Sequence, residues 1–333
     1  MYSAKRGNRY LLFTLFSFIL GSLFLSFYME YTGKDLSLST KLVFSQWVII
    51  FVPIVLYFII TKSPIKKTLL LNKISPLTGI ICVGIAFFIS PLLSLINVLS
   101  QFFVKNQISE TVMDIASLPF FIALFFIAVT PAILEEVALR GIINSNYRNH
   151  PVVTTCLING LFFGIFHMNI NQFLYAFVMG AIMCFVVHIT SSIYSSMIIH
   201  FTINAFGLIM AKFAVVAEKL YENNPEMMVQ IEESAVNTTH SLIVASITML
   251  ILTAIFLPFA CLLIYTLAKK YNKTNIFHMK TAQALDFGQE LELDETSLTE
   301  LPSKKDSIIT LSFLISVSGF LIFVVLFEFL LVA

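Results

Sequence analysis

The chain has 333 residues, 58% of them hydrophobic and only 12% charged, with a formal net charge of +1 and a mean hydropathy of +0.91. A water-soluble globule has no surface on which to place so many apolar side chains, so a soluble enzyme or binding module is excluded and a polytopic membrane protein is implied. The near-zero net charge also argues against a nucleic-acid partner. The lipid bilayer is the first partner.

A membrane-crossing helix needs about 20 consecutive apolar residues. From the N-terminus, runs that approach or exceed this length fall at about 10–28, 42–61, 77–104, 118–143, 152–167, 172–190, 192–215, 241–268 and 307–332. They predict an all-α fold, a polytopic membrane helix bundle of about nine transmembrane helices, with eight as the alternative. The first run is too long for the core of a cleaved leader and lacks a small-residue cleavage site, so it reads as a retained anchor. The fifth run is the shortest and is followed at once by the polar stretch MNINQ. That helix is expected to tilt or to stop inside the protein, its backbone buried or lining a wet cavity.

Basic loops stay in the cytoplasm. With the N-terminus inside, fifteen of the twenty Lys and Arg residues fall on inner segments and five, Lys34, Lys41, Lys105, Lys212 and Lys219, on outer ones. Lysine outnumbers arginine sixteen to four, the bias of an AT-rich bacterial genome. These patterns predict an integral protein of a bacterial cell membrane with a cytoplasmic N-terminus. Two longer hydrophilic stretches stand out. The outer one, about 216–240, has the makings of an amphipathic cap. The inner one, about 269–306, carries Asp286, Glu290, Glu292, Asp294, Glu295 and Glu300 with no base among them and reads as a solvated tether. The organisation expected is an N-terminal scaffold of three spans (1–117), a four-span core (118–215), and a C-terminal part (216–333) with the outer loop, a span, the acidic loop and the last span. Cys82, Cys156, Cys184 and Cys261 all fall within apolar runs without CxxC or metal-type spacing, which reads as buried thiols.

Ionisable groups at bilayer depth cost at least about 2.5–3.5 kcal/mol each and so mark function by default. Those present are Glu135, Glu136 and Arg140 in the fourth run, His167 at the end of the fifth, His188 at the inner end of the sixth, and His200 with Asn204 in the seventh. Glu136 and Arg140 are four apart with the acid on the N-terminal side, the favourable order for a self-neutralising helical pair. Glu135 points about 100° away, free of that partner, as a general base must be. His200 and Asn204 are also four apart and share one helix face. His188 reads as an interhelical hydrogen bonder. At about 1.5 Å of rise per residue, Glu135 and His200 come to about 12 Å and about 14 Å from the inner boundary, Asn204 to about 20 Å and His167 to about 22 Å. A shared site on this count lies between the midplane and the cytoplasmic leaflet.

Three stretches, EEVALR (Glu135, Glu136, Arg140), FGIFH (Phe163, His167) and HFTIN (His200, Asn204), resemble the EExxxR, FxxxH and HxxxN motifs of one family, in its order and on successive core helices. The family is the CPBP or Abi group of intramembrane proteases, which includes the CAAX prenyl proteases of the Ras-converting type and bacterial bacteriocin-processing or self-immunity proteins. The resemblance covers about residues 118–210. It implies peptide-bond hydrolysis within the membrane, with Glu135 and His167 activating a water and His200 and Asn204 donating to the oxyanion. Glu136 and Arg140 would hold their helix in register, and Phe163 would orient the helix of His167. The family has also been read as metal-dependent, with Glu135, His167 and His200 as ligands of zinc or another divalent metal; both readings are chemically sound. The long acidic loop and the ninth span depart from the resemblance and bear on the substrate. An amphipathic or lipid-associated peptide or protein, such as a bacteriocin or pheromone precursor, fits better than a farnesylated protein. The competing readings are a non-catalytic immunity or scaffold protein that binds a peptide, and a proton-coupled transporter. Against the latter there is no inverted repeat. HExxH, GxSG and GxGD motifs do not occur.

Overall fold

A computed structural model describes residues 2–106, 109–222, 238–277 and 307–326. Most of the expected outer cap and nearly all of the acidic loop lie outside the described residues. What is described is helical, with no strand among the described residues. Seven helices are long and apolar enough to cross a membrane. They are α1 (Ala4–Thr32), α2 (Leu38–Thr61), α3 (Pro76–Ser100), α5 (Phe120–Asn146), α7 (Ile170–Thr190), α8 (Ile193–Glu222) and α9 (Thr238–Lys270). Between them and after them come α4 (Ser109–Ser117) and two shorter apolar helices, α6 (Val152–Phe166) and α10 (Leu311–Val324). The fifth and ninth runs of the sequence thus give helices of 15 and 14 residues, below full spanning length among the described residues. The molecule is an integral membrane protein by its seven long apolar helices. Their outward faces carry Leu20, Phe27, Ile60, Ile80 and Phe213, each more than 60% exposed, as suits surfaces set against lipid.

Lipid tails are as apolar as leucine, so close packing and hydrogen bonds hold the helices together. The antiparallel pair α6 and α7 shows this at Gly160 and Gly180. A Cβ on Gly180 would lie 2.9 Å from the Cα of Gly160, and one on Gly160 would lie 2.5 Å from the carbonyl oxygen of Phe177. Around this contact Phe162, Phe163, Ile165, Met179 and Met183 form the centre of the core, with Leu139 and Ile142 of α5 against them.

One end of the bundle is tied by polar contacts. The Ser145 hydroxyl donates to the carbonyl of Thr68 at 2.5 Å, and Asn146 Nδ2 to the Tyr57 hydroxyl at 3.0 Å. Tyr147 hydrogen-bonds Asn8, and the Ser3 amide reaches Asn146 Oδ1. Ser192 Oγ donates to the carbonyl of Asn72 at 2.6 Å, while Lys273 Nζ donates to the carbonyl of His188 at 2.8 Å. At this end the chain also carries Lys62, Lys66, Lys67, Lys73, Arg148, Lys269 and Lys270. At the opposite end α1 stops at Gly33, whose φ of +62° is left-handed and strained for any residue with a Cβ. There Lys212 Nζ caps α4 by donating to the carbonyls of Ala116 and Leu118, both at 2.7 Å.

Candidate functional site

Helix α5 is not a uniform α-helix. Wide π-helical stretches at Phe125–Val129 and Val137–Ile143 flank an α-helical segment, Thr130–Glu136, that carries both glutamates. Pro131 accounts for the first of these. It has no N–H, so the carbonyls of Ile127 (four residues back) and Phe126 (five back) lose the donor that an α or π pattern would supply. Side chains replace it: Asn204 Nδ2 donates to Ile127 at 2.9 Å and Gln46 Nε2 to Phe126 at 2.8 Å. The carbonyl of Leu139, within the second stretch, accepts from Asn159 Nδ2 at 2.9 Å. Helix α5 is thereby fixed from α2, α6 and α8 on both sides of Glu135.

The two glutamates have different surroundings. Glu136 is fully buried, and its Oε1 accepts from Arg140 at 2.8 Å. Arg140 also donates to the carbonyl of Gly180 at 3.2 Å, and its guanidinium carbon lies 4.5 Å from the ring centre of Phe163. The self-neutralising pair expected from the spacing is therefore present. It also has a partner that spacing did not predict: His200 Nδ1 lies 2.8 Å from the same Glu136 Oε1. A carboxylate holding an arginine only accepts, so His200 carries its proton on Nδ1 and turns Nε2 away. Nε2 faces Glu135, whose Oε2 is 3.9 Å away. His167 is held in the same manner. Its Nδ1 donates to the carbonyl of Phe163 at 2.8 Å, leaving its Nε2 as the second available imidazole nitrogen. The Phe163 ring lies between the two, at 4.9 Å from the His167 ring and 5.7 Å from that of His200.

Glu135, His167, His200 and Asn204 all line one cavity of about 640 Å³, together with Phe163, Pro131 and Gln46. His167 is the C-cap of α6, after which Met168 takes a φ of +48° and Asn169 caps α7 by accepting from the amide of Gln172 at 2.9 Å. The short helix does stop inside the protein, and Asn171, Gln172 and Tyr175 beyond it line the cavity. The cavity extends to Asn106 and Ser109, at the end of the bundle opposite the polar ties. Glu135 and His200 lie eleven and seven residues from the tied ends of their helices, and the cavity runs from them toward the opposite end.

His188, read as an interhelical hydrogen bonder, lies outside this cavity with its Nε2 3.1 Å from Asn144 Oδ1. Sequence reasoning expected the MNINQ stretch, with Asn171 and Gln172, to be buried or to line a wet cavity, but did not single out these side chains or Gln46 and Tyr175 as cavity residues. The polar MNINQ stretch and a lone glutamine in the second apolar run were the available signals.

The donor set of Glu135, His167 and His200 suits zinc, and anchored Nδ1 atoms are the usual support of metal-binding histidines. Its one close approach, Glu135 Oε2 to His200 Nε2 at 3.9 Å, is near the ligand–ligand edge of a zinc site. Among the described residues, the three side chains of a potential metal group that gather within 4.8 Å are others, Cys156, Cys184 and His188. The gap between Glu135 and His200 is of a size for a bridging water.

Residues 117–206 match the family described as Type II CAAX prenyl endopeptidase Rce1-like. No curated protein and no solved structure matches the chain. The matched span runs from the end of α4 through the first half of α8 and contains Glu135, Glu136, Arg140, Phe163, His167, His200 and Asn204.

Proposed function

Since residues 117–206 form an Rce1-like type II CAAX prenyl endopeptidase domain of the CPBP/Abi family, and the chain is thus an intramembrane protease, we propose that Glu135 is its general base. The observation that carries this reading is the 3.9 Å separation of Glu135 Oε2 and His200 Nε2 on the wall of a cavity that also holds His167 and Asn204. A water between Glu135 and the two Nε2 atoms has acceptors on both sides. Glu135 takes its proton as the oxygen attacks the scissile carbonyl, and later returns it to the leaving amine.

His200 has a defined part in this scheme. With Nδ1–H held by Glu136, its Nε2 presents a lone pair that accepts a hydrogen bond from the water and orients it. Asn204 commits one amide hydrogen to the carbonyl of Ile127 and retains a second for the oxyanion. Were a divalent ion bound here, Glu135, His167 and His200 would hold it, and it would supply Lewis-acid polarisation of the water and the scissile carbonyl.

The substrate is a membrane-associated peptide or protein. The cavity of about 640 Å³ has room for several peptide residues, and Asn106, Asn171 and Gln172 in its lining offer hydrogen bonds to a peptide backbone. With the N-terminus in the cytoplasm, the basic, tied end of the bundle lies inside and the Asn106–Ser109 end of the cavity lies toward the outer leaflet. An exported amphipathic peptide, of the bacteriocin or pheromone class, meets the site from that side. The division into a scaffold (1–117), a catalytic core (118–215) and a C-terminal part (216–333) is part of the same proposal.

The test is cleavage of quenched peptide libraries by the purified chain in detergent or liposomes. Glu135→Gln, His167→Ala and His200→Ala should each lower kcat/KM by at least about 100-fold with unchanged membrane abundance. Full activity in purified Glu135→Gln would end the assignment.

A further inference from the structure

A second buried cluster lies outside the cavity. Cys156 of α6 and Cys184 and His188 of α7 bring one ligand-type atom each to within 4.8 Å of one another, and all three side chains are buried. Asn144 of α5, fully buried, completes the group. Its Oδ1 accepts from Cys184 Sγ at 3.6 Å and lies 3.1 Å from His188 Nε2.

The register of three helices explains the meeting. Gly160 rests on Gly180, and Arg140 donates to the carbonyl of Gly180. One helical turn from each of these positions, toward the tied end of the bundle, lie Cys156, Cys184 and Asn144. A further turn along α7 brings His188, on the same face as Cys184. The glycine contact that lets α6 approach α7 therefore also sets the thiols opposite each other. Spacing along the chain hides this, since Cys156 and Cys184 sit on different helices.

We propose that Cys156, Cys184 and His188, with Asn144 Oδ1 as fourth donor, bind a soft divalent transition-metal ion, of which zinc fits best. Two sulfurs, an imidazole nitrogen and an amide oxygen are a tetrahedral set, and thiolates select zinc over magnesium or calcium. Zinc–sulfur and zinc–nitrogen bonds of about 2.3 and about 2.0 Å give ligand–ligand edges of roughly 3.5–3.8 Å. The observed cluster reaches that by a contraction of about 1 Å, within the range of a side-chain adjustment. On binding, both thiols release their protons, and two thiolates balance the ion's two charges, so the filled site is neutral, as a buried one must be. Four protein donors leave no position for substrate, which makes the site a structural staple joining α5, α6 and α7 one turn from Arg140. It is chemically independent of the proposed peptide hydrolysis.

The experiment uses the full chain carrying Glu135→Gln, purified in detergent without chelator, so that loss of catalysis does not affect the readout. Metal analysis should find stoichiometric zinc. Exchange for cobalt(II) should give the thiolate-to-cobalt charge-transfer absorption of a two-thiolate site. Both signals should vanish in Cys156→Ser and Cys184→Ser and persist in Cys82→Ser and Cys261→Ser. If the two serine variants fail to accumulate, alkylation of the parent protein replaces them: zinc should protect Cys156 and Cys184 and leave Cys261 reactive. Absence of stoichiometric metal after zinc loading, a Cys156–Cys184 disulfide in that protein, or zinc lost with His167→Ala but kept in Cys184→Ser would overturn the proposal.

Discussion

A carboxylate with a guanidinium at 2.8 Å and a carboxylate with only an imidazole at 3.9 Å should respond differently to loss of their charge. Glu136→Gln leaves Arg140 buried without a counter-ion, and breaking such a pair costs about 3–5 kcal/mol. It also removes the acceptor that fixes the His200 tautomer, so activity should fall along with stability. Glu135→Gln removes no observed ion pair with Arg140 and should leave the unfolding midpoint within about 1 kcal/mol of the parent while abolishing cleavage. Thermal unfolding in detergent, paired with peptide cleavage, separates the two. A Glu136→Gln protein as stable as the parent would contradict the geometry. At this scale the sequence was informative about pairs on one helix and silent about pairs between helices. The spacing of Glu136 and Arg140 predicts their contact, whereas the His200–Glu136 bond spans 64 positions and depends on how α8 rotates against α5.

Elements carry information that single residues do not. Pro131 lies one turn before Glu135, and the two carbonyls it leaves without backbone donors are taken by Asn204 and Gln46. Asn204→Ala should therefore cost about 1–3 kcal/mol through an unsatisfied buried carbonyl. Restoring the backbone N–H with Pro131→Ala should make that loss smaller. A double-mutant cycle on unfolding free energy measures the coupling, and strict additivity of the two changes would show that the carbonyls are not shared in this way. The α6–α7 contact gives a second test. Gly160→Ala drives a methyl to 2.5 Å from the Phe177 carbonyl and should lower stability by more than 1 kcal/mol. Gly319→Ala on α10 has nothing within 4 Å and should be neutral or gain up to about 1 kcal/mol from helix propensity. Equal unfolding midpoints for the two variants would refute the close approach. Helix positions were legible because apolar runs of spanning length have few other uses. The π-helical stretches were not, since they arise from which side chains compete for carbonyls, a tertiary matter. The end of α6 was legible, because MNINQ cannot be left facing lipid.

At the scale of the whole molecule, the bundle has two unlike ends. One gathers the basic loop residues and most of the interhelical polar ties, from Asn8 and Thr68 to Ser192 and Lys273. The other holds Gly33, α4 and the part of the cavity lined by Asn106 and Ser109. Charge bias predicts which end faces the cytoplasm; the fold shows that the cavity reaches toward the other. Neither source gives both halves, because the loop charges contain no depth and the helices contain no membrane. Combined, they predict that cleavage occurs on the outer side. Lys34 and Lys66 are both exposed and sit at opposite ends. In a Cys261→Ser background, Lys34→Cys should react with a membrane-impermeant maleimide in intact cells, and Lys66→Cys only after permeabilisation. A peptide substrate supplied to sealed, right-side-out vesicles should then be cleaved without being imported. Labelling of Lys66→Cys alone in intact cells would invert the topology, and with it place the proteolytic site on the cytoplasmic side while leaving its internal geometry unchanged.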